Sequence, residues 1–560
     1  MGKLRMSRFF TLRAFVLLAA GALAGSSPLA AQVAKPVPTL KSRGSFRIAG
    51  TVVNTKTSQP LVRVQVSVTE TKNPKNTQSM VTSEDGRFQF QVGAGKYSLQ
   101  GSKRGFLSFA YEQHENFWTG IVTGTDLDTE NLVLRLPPTA MITGKVTDDV
   151  GDPVRGATIT VFRENHSAGV SRIESVSNVP TDDLGTYEVE SLAAGTYFVS
   201  ATAQPWYAEH SVRSQTLSGL PSLIDRSLDV AFPASYYKEA TESDEATPIP
   251  LRPADQVEVD FHLNQVPALH LVLHVAADAA GAFTMPNLQK PAFDGVGLPL
   301  DGHVEQVTPG VYEMTGLAAG KYMLQARDSS NGTMQAPADV DLANDGQELD
   351  LSANGPTASV KMAVRLRGAT ELPPRLYLGL RDEKGGVGVL TQVNDKGEVE
   401  FSGVLPGTYE VVAGSSRKTY SVARITSEEN VTAGHTLSVA AGASLQASAI
   451  LVDGVTTVEG FAQRLGKPAS AAMVVLVPND PEANLELFRR DQSDLDGSFA
   501  LAQVVPGTYT ILAIENGWDL DWAKPAVIES YRQHGQKIVV REDSKGSMRL
   551  SGPVEVQPKL

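Results

Sequence analysis

Short segments in which apolar and polar residues alternate occur along almost the whole chain after residue 45. In "DGRFQFQV" the apolar side chains are Phe88 and Phe90, and in "DGSFALAQV" they are Phe499 and Leu501. Such alternation places one face of a β-strand in a core and the other in water. No segment of any length shows the 3.6-residue period of an amphipathic helix. The pattern therefore predicts an all-β protein built from short strands.

A Gly-x-Tyr motif recurs five times, each time followed by a period-two pattern. The glycine and tyrosine pairs are Gly95 and Tyr97, Gly195 and Tyr197, Gly320 and Tyr322, Gly407 and Tyr409, and Gly507 and Tyr509. The tyrosines are 100, 125, 87 and 100 residues apart, which is the spacing of whole domains. Internal repetition of domains is therefore the organising feature of the chain.

Each Gly-x-Tyr strand follows another short strand that begins with a turn glycine, for example Gly497 before Phe499. The two glycines are 10 residues apart in four copies and 9 in the first, which predicts a β-hairpin. We expect the second glycine to permit a turn with positive φ. We expect the tyrosine to bury its ring and satisfy its hydroxyl at the sandwich edge. The motif is thus interpreted as a fold marker and not as a reactive site.

Further strand pairs open and close each repeat, and turns occur every 8 to 12 residues. This density predicts a tandem array of about five Greek-key β-sandwich domains with about seven strands each. The expected domains are 45–138, 139–265, 266–355, 356–452 and 453–560. The second is the longest, because it carries an insertion rich in Ser, Pro and acidic residues that we expect to cross the surface.

The second repeat carries a motif that extends beyond the tyrosine. It contains Gly144-Lys-Val146, Pro153-Val154, Ala157, Ile159, Val161, Asp182/Asp183, Gly185, Tyr187, Leu192, Gly195 and Tyr197. This pattern resembles the carboxypeptidase regulatory-like domain. The resemblance implies a transthyretin-like (prealbumin-like) β-sandwich, a fold also grouped with carbohydrate-binding-like folds. Repeats one, two and five match well, and repeats three and four match mainly through the two Gly-containing strands.

The family takes its name from domains attached to zinc carboxypeptidases, whose catalytic domain is separate and needs a His-x-x-Glu motif. None of the nine histidines here has a glutamate three residues later. The resemblance therefore implies no peptidase activity, and we expect no catalytic residues.

The first 31 residues have the three parts of a secretory signal peptide: a basic start, an apolar run and small residues before a cleavage site. We expect cleavage after Ala31, with Ala24 as the alternative. The apolar run is too short to span a bilayer, and no later segment approaches that length. The sequence thus predicts a bacterial exported protein, periplasmic or released at the cell surface.

Charge and cysteine content limit the partners and ligands. The formal net charge is −13, and it falls to −17 without the first 31 residues, which hold four basic residues and no acids. An acidic surface repels phosphate backbones, so nucleic acid is an unexpected partner. The chain has no cysteine, which excludes disulfides and thiolate metal sites.

Two sets of residues were weighed as metal sites. In "DQSDLDGSF" Asp494, Asp496 and Gly497 resemble part of a calcium loop, but the first and twelfth ligands are missing. His262, His270 and His274 are close in sequence, and His270 and His274 would share one face of a strand. Two imidazoles without a third ligand make a weak metal site, so we expect solvated histidines on one strand. We expect no metal and no cofactor.

The best candidate for a binding function is "ENGWDLDWAKP" in the last repeat. On an extended chain Trp518 and Trp522 share one face, while Asp519 and Asp521 lie on the other. Indole faces beside carboxylates suit the stacking and hydrogen bonding of sugars. Aromatic residues at comparable places in repeats one and two include Trp118, Trp206 and Tyr207. The alternative is that these aromatics close the open end of each sandwich as core residues.

Three functions follow from these observations. The first is a non-catalytic exported binding or scaffold protein of the cell envelope, with a polysaccharide or an envelope protein as partner. The second is a carbohydrate-binding protein that uses the aromatic platforms. The third is a hydrolase with a site between domains, and no residues can be named for it.

Overall fold

A computed structural model gives the fold of the chain. It describes residues 45–560 except for 125–126, 211–224, 275–285, 294–295, 299, 301, 309, 327–337, 351–357, 370, 382–389, 416–419, 428–435, 455, 483, 542–543 and 545. The predicted signal peptide and its cleavage site lie outside these residues. In the described part almost all regular structure is strand, and the one α-helix there is the eight-residue α1 (Pro525–Arg532). No helix among these residues has the length and apolarity needed to cross a bilayer.

The strands form five successive groups, named here the first to fifth sandwiches. The first contains β1 (Phe46–Asn54), β2 (Gln65–Glu70), β3 (Thr77–Val81), β4 (Arg87–Val92), β5 (Gly95–Ser102), β6 (Phe109–Ala110), β7 (Ile121–Thr123) and β8 (Leu132–Leu136). The second contains β9 (Ala140–Asp148), β10 (Thr158–Asn165), β11 (Arg172–Pro180), β12 (Thr186–Leu192), β13 (Gly195–Thr202), β14 (Val230–Ala231), β15 (Ser235–Tyr236), β16 (Ile249–Leu251), β17 (Gln256–Glu258), β18 (Phe261–Leu263) and β19 (Val266–Pro267).

The third and fourth sandwiches contain eight strands each in the described part. The third contains β20 (Leu269–His274), β21 (Pro286–Ala292), β22 (Val296–Leu298), β23 (His303–Thr308), β24 (Val311–Leu317), β25 (Gly320–Ala326), β26 (Ala338–Leu342) and β27 (Gln347–Asp350). The fourth contains β28 (Ala358–Leu366), β29 (Tyr377–Arg381), β30 (Thr391–Gln392), β31 (Glu398–Val404), β32 (Gly407–Gly414), β33 (Tyr420–Ser427), β34 (Thr436–Val439) and β35 (Ser444–Asp453).

The fifth sandwich completes the chain and includes α1. Its strands are β36 (Thr456–Arg464), β37 (Lys467–Pro468), β38 (Met473–Pro478), β39 (Arg489–Gln492), β40 (Ser498–Val504), β41 (Gly507–Ile514), β42 (Gln536–Val540), β43 (Gly546–Arg549) and β44 (Val554–Gln557).

All five sandwiches share one strand order. The first long strand of each (β1, β9, β20, β28, β36) pairs antiparallel with the strand before Gly-x-Tyr and parallel with a strand near the end. The Gly-x-Tyr strand (β5, β13, β25, β32, β41) lies between the second long strand and a later strand, antiparallel to both. The chain is therefore an all-β tandem array of β-sandwiches, and the domain boundaries given above stay a prediction.

The predicted hairpin at each Gly-x-Tyr motif is wrong. In the fifth sandwich β40 pairs with β36, whereas β41 pairs with β38, β42 and β44. The same separation occurs in the other four copies. In the first four copies the two strands belong to different sheets, so the short turn between them joins the two layers. In the fifth copy β44 pairs with both β36 and β41 and links the two layers into one sheet. Alternation predicts a strand and its buried face, but it contains no information about which strand is its neighbour.

A tyrosine hydroxyl stabilises each of these layer crossings. Every motif tyrosine donates a hydrogen bond to the carbonyl oxygen four residues earlier. The bonds are Tyr97 to Gly93 (3.1 Å), Tyr197 to Ala193 (2.8 Å), Tyr322 to Ala318 (2.6 Å), Tyr409 to Leu405 (3.0 Å) and Tyr509 to Val505 (2.9 Å). Burial raises the pKa of Tyr509 to about 12, so its hydroxyl keeps the proton that it donates.

The two glycines that flank the short turn meet different structural requirements. The earlier one is the turn residue: Gly86, Gly185, Gly310, Gly397 and Gly497 have φ between 72° and 80°. The positive φ expected at the second glycine occurs at Gly195 and Gly320, but the expectation is wrong for Gly507, which is not among the described glycines with positive φ. A Cβ there would lie 3.2 Å from the ring of Tyr509, so this glycine makes room for the tyrosine.

Each sandwich encloses its own apolar core, which contains the residue two positions after the tyrosine. Leu99, Val199, Leu324, Val411 and Ile511 are all at most 2% exposed, as the alternation predicted. A separate apolar cluster lies on the outer side of β38 and β41 and includes Phe117 of the first sandwich. The fifth sandwich therefore packs against a part of the chain that is almost 400 residues away in sequence.

Candidate functional site

The aromatic segment 517–523 is part of this outer cluster. Gly517–Asp519 forms a turn of 3-10 helix, so the segment is not the extended platform that was expected. Trp518 and Trp522 are 8% and 7% exposed and pack with Met473, Leu512 and Ile528. Neither indole N–H has a hydrogen-bond partner among the described residues. The structure therefore favours the alternative in which these two tryptophans are core residues.

Two rings of the first sandwich lie on Trp518. His114 stacks on the indole with ring centroids 5.1 Å apart and planes 4° apart. Phe117 packs beside it at 5.4 Å and a tilt of 35°. The face of Trp518 that was expected to meet a sugar is thus occupied by the first sandwich.

Arg490 connects three sandwiches. Its guanidinium donates two hydrogen bonds to Glu115 of the first sandwich, of 3.1 and 2.7 Å, and one of 3.0 Å to the carbonyl of Ser167 in the second. Its charge lies 4.3 Å from the ring centre of Trp522 and 5.6 Å from that of Trp518. The Arg490 side chain is only 7% exposed, so these bidentate and cation–π contacts are largely shielded from water. We call the residues around it, 112–120, 166–169, 490–495 and 517–523, the Arg490 junction.

The loop after Arg490 docks on the first sandwich through its main chain. Leu495 N donates to Gly120 O (3.0 Å), and Gly120 N donates to the Asp494 carboxylate (2.9 Å). Lys96 forms an ion pair with the same carboxylate. Burial raises the pKa of Asp494, and the Lys96 ammonium opposes that rise.

The loop that resembles part of a calcium site contacts the first sandwich instead. The Lys96 ammonium is placed where a cation bound to Asp494 would sit, because it pairs with that carboxylate. Among the described residues no three His, Asp or Glu side chains are grouped so that they could share a metal ion.

The second sandwich reaches the junction through residues 166–169. His166 Nδ1 lies 3.0 Å from the Asp521 carboxylate, and Ala523 N donates to Gly169 O (2.8 Å). Gly169 has φ +84°, and a Cβ there would lie 2.3 Å from the Ala523 Cβ. Only glycine permits the segments around residues 169 and 523 to approach this closely.

The two acidic residues of the aromatic segment are paired within the protein. Asp519 accepts hydrogen bonds from the Lys559 ammonium (2.6 Å). Burial works against the charge of Asp521, but hydrogen bonds from Lys524 and His166 hold its pKa below the usual range. Both carboxylates thus hold the segment in place.

The other expected platforms differ from this one. Trp118 is 42% exposed, and Trp206 is 88% exposed. Tyr207 meets Trp206 edge to face with ring centroids 5.7 Å apart, and its hydroxyl donates to Gln265 (2.8 Å). The structure therefore separates the predicted aromatic residues into a buried set and an exposed set.

The three histidines considered as ligands also differ. His262 is exposed next to Thr147, and His274 is half-buried next to Glu348. His270 is only 9% exposed and lies between Asp229 and Glu313, at 3.1 Å from each. The expectation of solvated histidines is wrong for His270, because carboxylates from the second and third sandwiches enclose its ring.

Sequence reasoning missed the residues that build the junction. Arg490, Glu115 and Lys96 carry no motif, and their ion pairs join residues 375 and 398 positions apart. The aromatic segment after the last Gly-x-Tyr strand indicated one side of the junction. Nothing in the sequence indicated that residues 112–120 of the first sandwich would contact it.

Comparison with known proteins identifies part of the chain. Residues 47–128 and 141–264 match the carboxypeptidase regulatory-like domain, so the chain contains two such domains, in its first and second sandwiches. The fifth sandwich, which was also expected to match, is not in these ranges. No curated protein shows significant sequence similarity to the chain.

Several solved structures are similar to the chain at low identity. The Bacillus anthracis TIE protein is 12% identical over 74% of this chain and 76% of its own, with a TM-score of 0.17. The minor pilin GBS52 of Streptococcus agalactiae is 13% identical over 39% and 96%, with a TM-score of 0.20. BcpA, the major pilin subunit of Bacillus cereus, is 8% identical over 73% and 99%, with a TM-score of 0.14.

Proposed function

We propose that this protein is a non-catalytic, exported multi-domain scaffold of the bacterial cell envelope whose first, second and fifth sandwiches are held in a fixed arrangement. The observation that carries the proposal is the Arg490 junction. Its charged and aromatic side chains contact one another across sandwich boundaries, as expected for groups that fix domain geometry. The carboxypeptidase regulatory-like domains support the same function, because in the family the peptidase site belongs to a separate domain.

The fixed arrangement is tested by small-angle X-ray scattering of the full chain. We expect Arg490→Ala to increase the radius of gyration, because it removes the contacts to Glu115 and Ser167. Arg549→Ala is the matched control, since the Arg549 side chain is 85% exposed and pairs only at the surface. An unchanged scattering curve for Arg490→Ala would reject the scaffold model.

Export and the lack of catalysis need their own measurements. We expect the chain expressed with its own N-terminus to appear in the periplasm or outside the cell after fractionation, shortened by the first 31 residues. A cytoplasmic, uncleaved product would contradict export. Peptidase or glycosidase activity that stays with the protein through purification would contradict the non-catalytic part.

Carbohydrate binding is the second candidate function, and one observation favours it. Trp206 exposes 88% of its surface although indole is among the most apolar side chains. An exposed ring held by an ordered neighbour suits stacking against a sugar. Retention of the wild-type chain on a polysaccharide column, and its loss in Trp206→Ala, is the expected result.

A further inference from the structure

The second sandwich has an open cleft of about 250 Å³ on the outside of the β9–β18 pair. Its polar lining consists of Lys145, Thr147, Ser235, Glu239, Asp260 and His262. Strand β9 supplies Lys145 and Thr147, Asp260 and His262 lie just before and within β18, and Ser235 and Glu239 come from β15 and the turn after it. The cleft is therefore bounded by elements from both sheets of one sandwich.

The lining alternates hydrogen-bond donors and acceptors. Lys145 is a donor, Glu239 and Asp260 are acceptors when ionised, and the hydroxyls of Thr147 and Ser235 do both. Such a mixture matches a ligand whose groups also donate and accept, as neighbouring sugar hydroxyls do. One lysine against two carboxylates gives no excess positive charge, so the cleft is poorly suited to phosphate or sulfate.

Several of these groups are already fixed in position. Lys145 N donates to Asp260 Oδ1 (2.8 Å), which orients that carboxylate at the cleft. Thr147 Oγ1 lies 3.2 Å from His262 Nδ1. A polar group held by a neighbour loses less conformational entropy when it binds a ligand.

Glu239 projects from a strained turn at the edge of the cleft. Its φ is +64°, a conformation that few residues other than glycine, asparagine and aspartate adopt. The turn is closed by Tyr236 N, which donates to Ala240 O (2.7 Å). Strain of this kind is concentrated at ligand-binding positions, where it fixes the direction of a side chain.

The exposed aromatic pair lies at the same end of β9. The Tyr207 hydroxyl donates to Gln265, and Gln265 Nε2 donates to Asp149 (3.3 Å). Asp149 is two residues beyond Thr147 of the cleft, which is at most about 7 Å along an extended chain. Trp206, whose ring meets that of Tyr207, therefore lies toward the end of β9 that carries Thr147 of the cleft.

We propose that the cleft and Trp206 form one binding site for a neutral, hydroxyl-rich oligosaccharide. Trp206 stacks on one sugar ring, while Glu239, Asp260 and Thr147 hydrogen-bond the hydroxyls of another. The inference rests on the second candidate function, carbohydrate binding, and adds to it the position of the site and the class of ligand.

The test is affinity electrophoresis of the full chain in native gels that contain amylose, xylan, dextran or laminarin. We expect the wild-type chain to be retarded by at least one of these polysaccharides. In that gel Trp206→Ala should raise the dissociation constant about tenfold or more, since it removes the stacking surface. Glu239→Gln and Thr147→Val should each raise it about threefold to tenfold, since each removes one hydrogen bond.

A matched control keeps the outcomes distinct. Glu188→Gln changes an exposed glutamate elsewhere on the second sandwich, so it should bind like wild type. Wild-type retardation that all three cleft-site variants retain would overturn this site but leave carbohydrate binding standing. No retardation of the wild-type chain in any gel would overturn both, while the scaffold proposal is tested separately by the scattering, fractionation and activity measurements.

Discussion

Two aromatic segments of similar composition have opposite environments in this molecule. In the fifth sandwich Trp518 and Trp522 are buried at 8% and 7% exposure, whereas in the second sandwich Trp206 is 88% exposed. Both segments follow a Gly-x-Tyr strand and both place aromatic rings near carboxylates. The difference is that residues 112–120 of the first sandwich cover the fifth-sandwich segment.

This contrast shows that the repeated Gly-x-Tyr strand determines where the variable segment after it begins. It does not determine whether that segment is buried against another sandwich or exposed to solvent. The same position after the motif is a docking surface in one copy and an exposed surface in another. What decides between them is a distant partner with matching shape and charge, here Glu115, His114 and Phe117.

The largest expected difference is between Trp518→Ala and Trp206→Ala. Trp518→Ala should lower the free energy of unfolding of the fifth sandwich by about 3–5 kcal/mol, because it leaves a cavity in the outer cluster. Trp206→Ala should change the stability of the second sandwich by about 0.5 kcal/mol or less. Native-state hydrogen exchange of the amides in β13 and β41 measures both. Equal effects would mean that the two segments do not differ energetically.

Removing the Arg490 guanidinium tests what holds the buried segment. We expect Arg490→Ala to cost about 3 kcal/mol, because it leaves the Glu115 carboxylate, with a side chain only 22% exposed, without its bidentate partner. The surface pair of Arg549 and Glu459 should contribute about 1 kcal/mol or less. Chemical unfolding of Arg490→Ala and Arg549→Ala compares them, and equal midpoints would contradict the role of the junction.

Much of the fold could be predicted from the sequence because burial alternates along a strand. The strands, the inward residues after each tyrosine and the satisfied tyrosine hydroxyls were all expected, and Ile511 and Tyr509 are buried accordingly. The hairpins were wrong because alternation is a property of one strand, while pairing depends on the sheet to which the strand belongs. The short turn before Gly507 is compatible with both arrangements.

The candidate site was less predictable for a related reason. A local pattern shows that Trp518 and Trp522 are unusual, but it does not show that Arg490 and Phe117 will meet them. Such contacts depend on how whole sandwiches are oriented, and a single sequence contains little information on that. Among the described residues Trp206, in contrast, meets only the ring of its neighbour Tyr207, and it is 88% exposed.

Two carboxylates, Asp491 in β39 and Asp182 in the turn before β12, should respond to pH in opposite directions. Burial raises the pKa of Asp491, beside the junction, from its ordinary 3.8 to about 6. The folded state therefore binds this proton more tightly than the unfolded state, and its stabilising contribution is lost as the pH rises from about 4 to about 6. The full change is on the order of 3 kcal/mol. In Asp491→Asn this decline should disappear from the pH profile of unfolding.

Asp182, in the exposed turn of the second sandwich, is the matched case. Hydrogen bonds from the Thr186 hydroxyl and main chain lower its pKa, so the stability it contributes is lost as the pH falls. Asp182→Asn should therefore flatten the acid side of the profile. If Asp182→Asn and Asp491→Asn change the pH dependence of unfolding in the same direction, the pKa values of the two carboxylates are not shifted in opposite directions.

The smallest expected effect concerns the contact between the second and fifth sandwiches. Gly169→Ala and Gly151→Ala both place a methyl group at positive φ, +84° and +89°, so their backbone strain is similar. Only at Gly169 would the new Cβ meet another sandwich, 2.3 Å from the Ala523 Cβ, while nothing lies within 4 Å at Gly151. We expect Gly169→Ala to lower stability by about 1–2 kcal/mol more than Gly151→Ala, and to speed hydrogen exchange at Ala523 N, which donates to Gly169 O. Equal losses would show that this contact adds nothing beyond the shape of the turn.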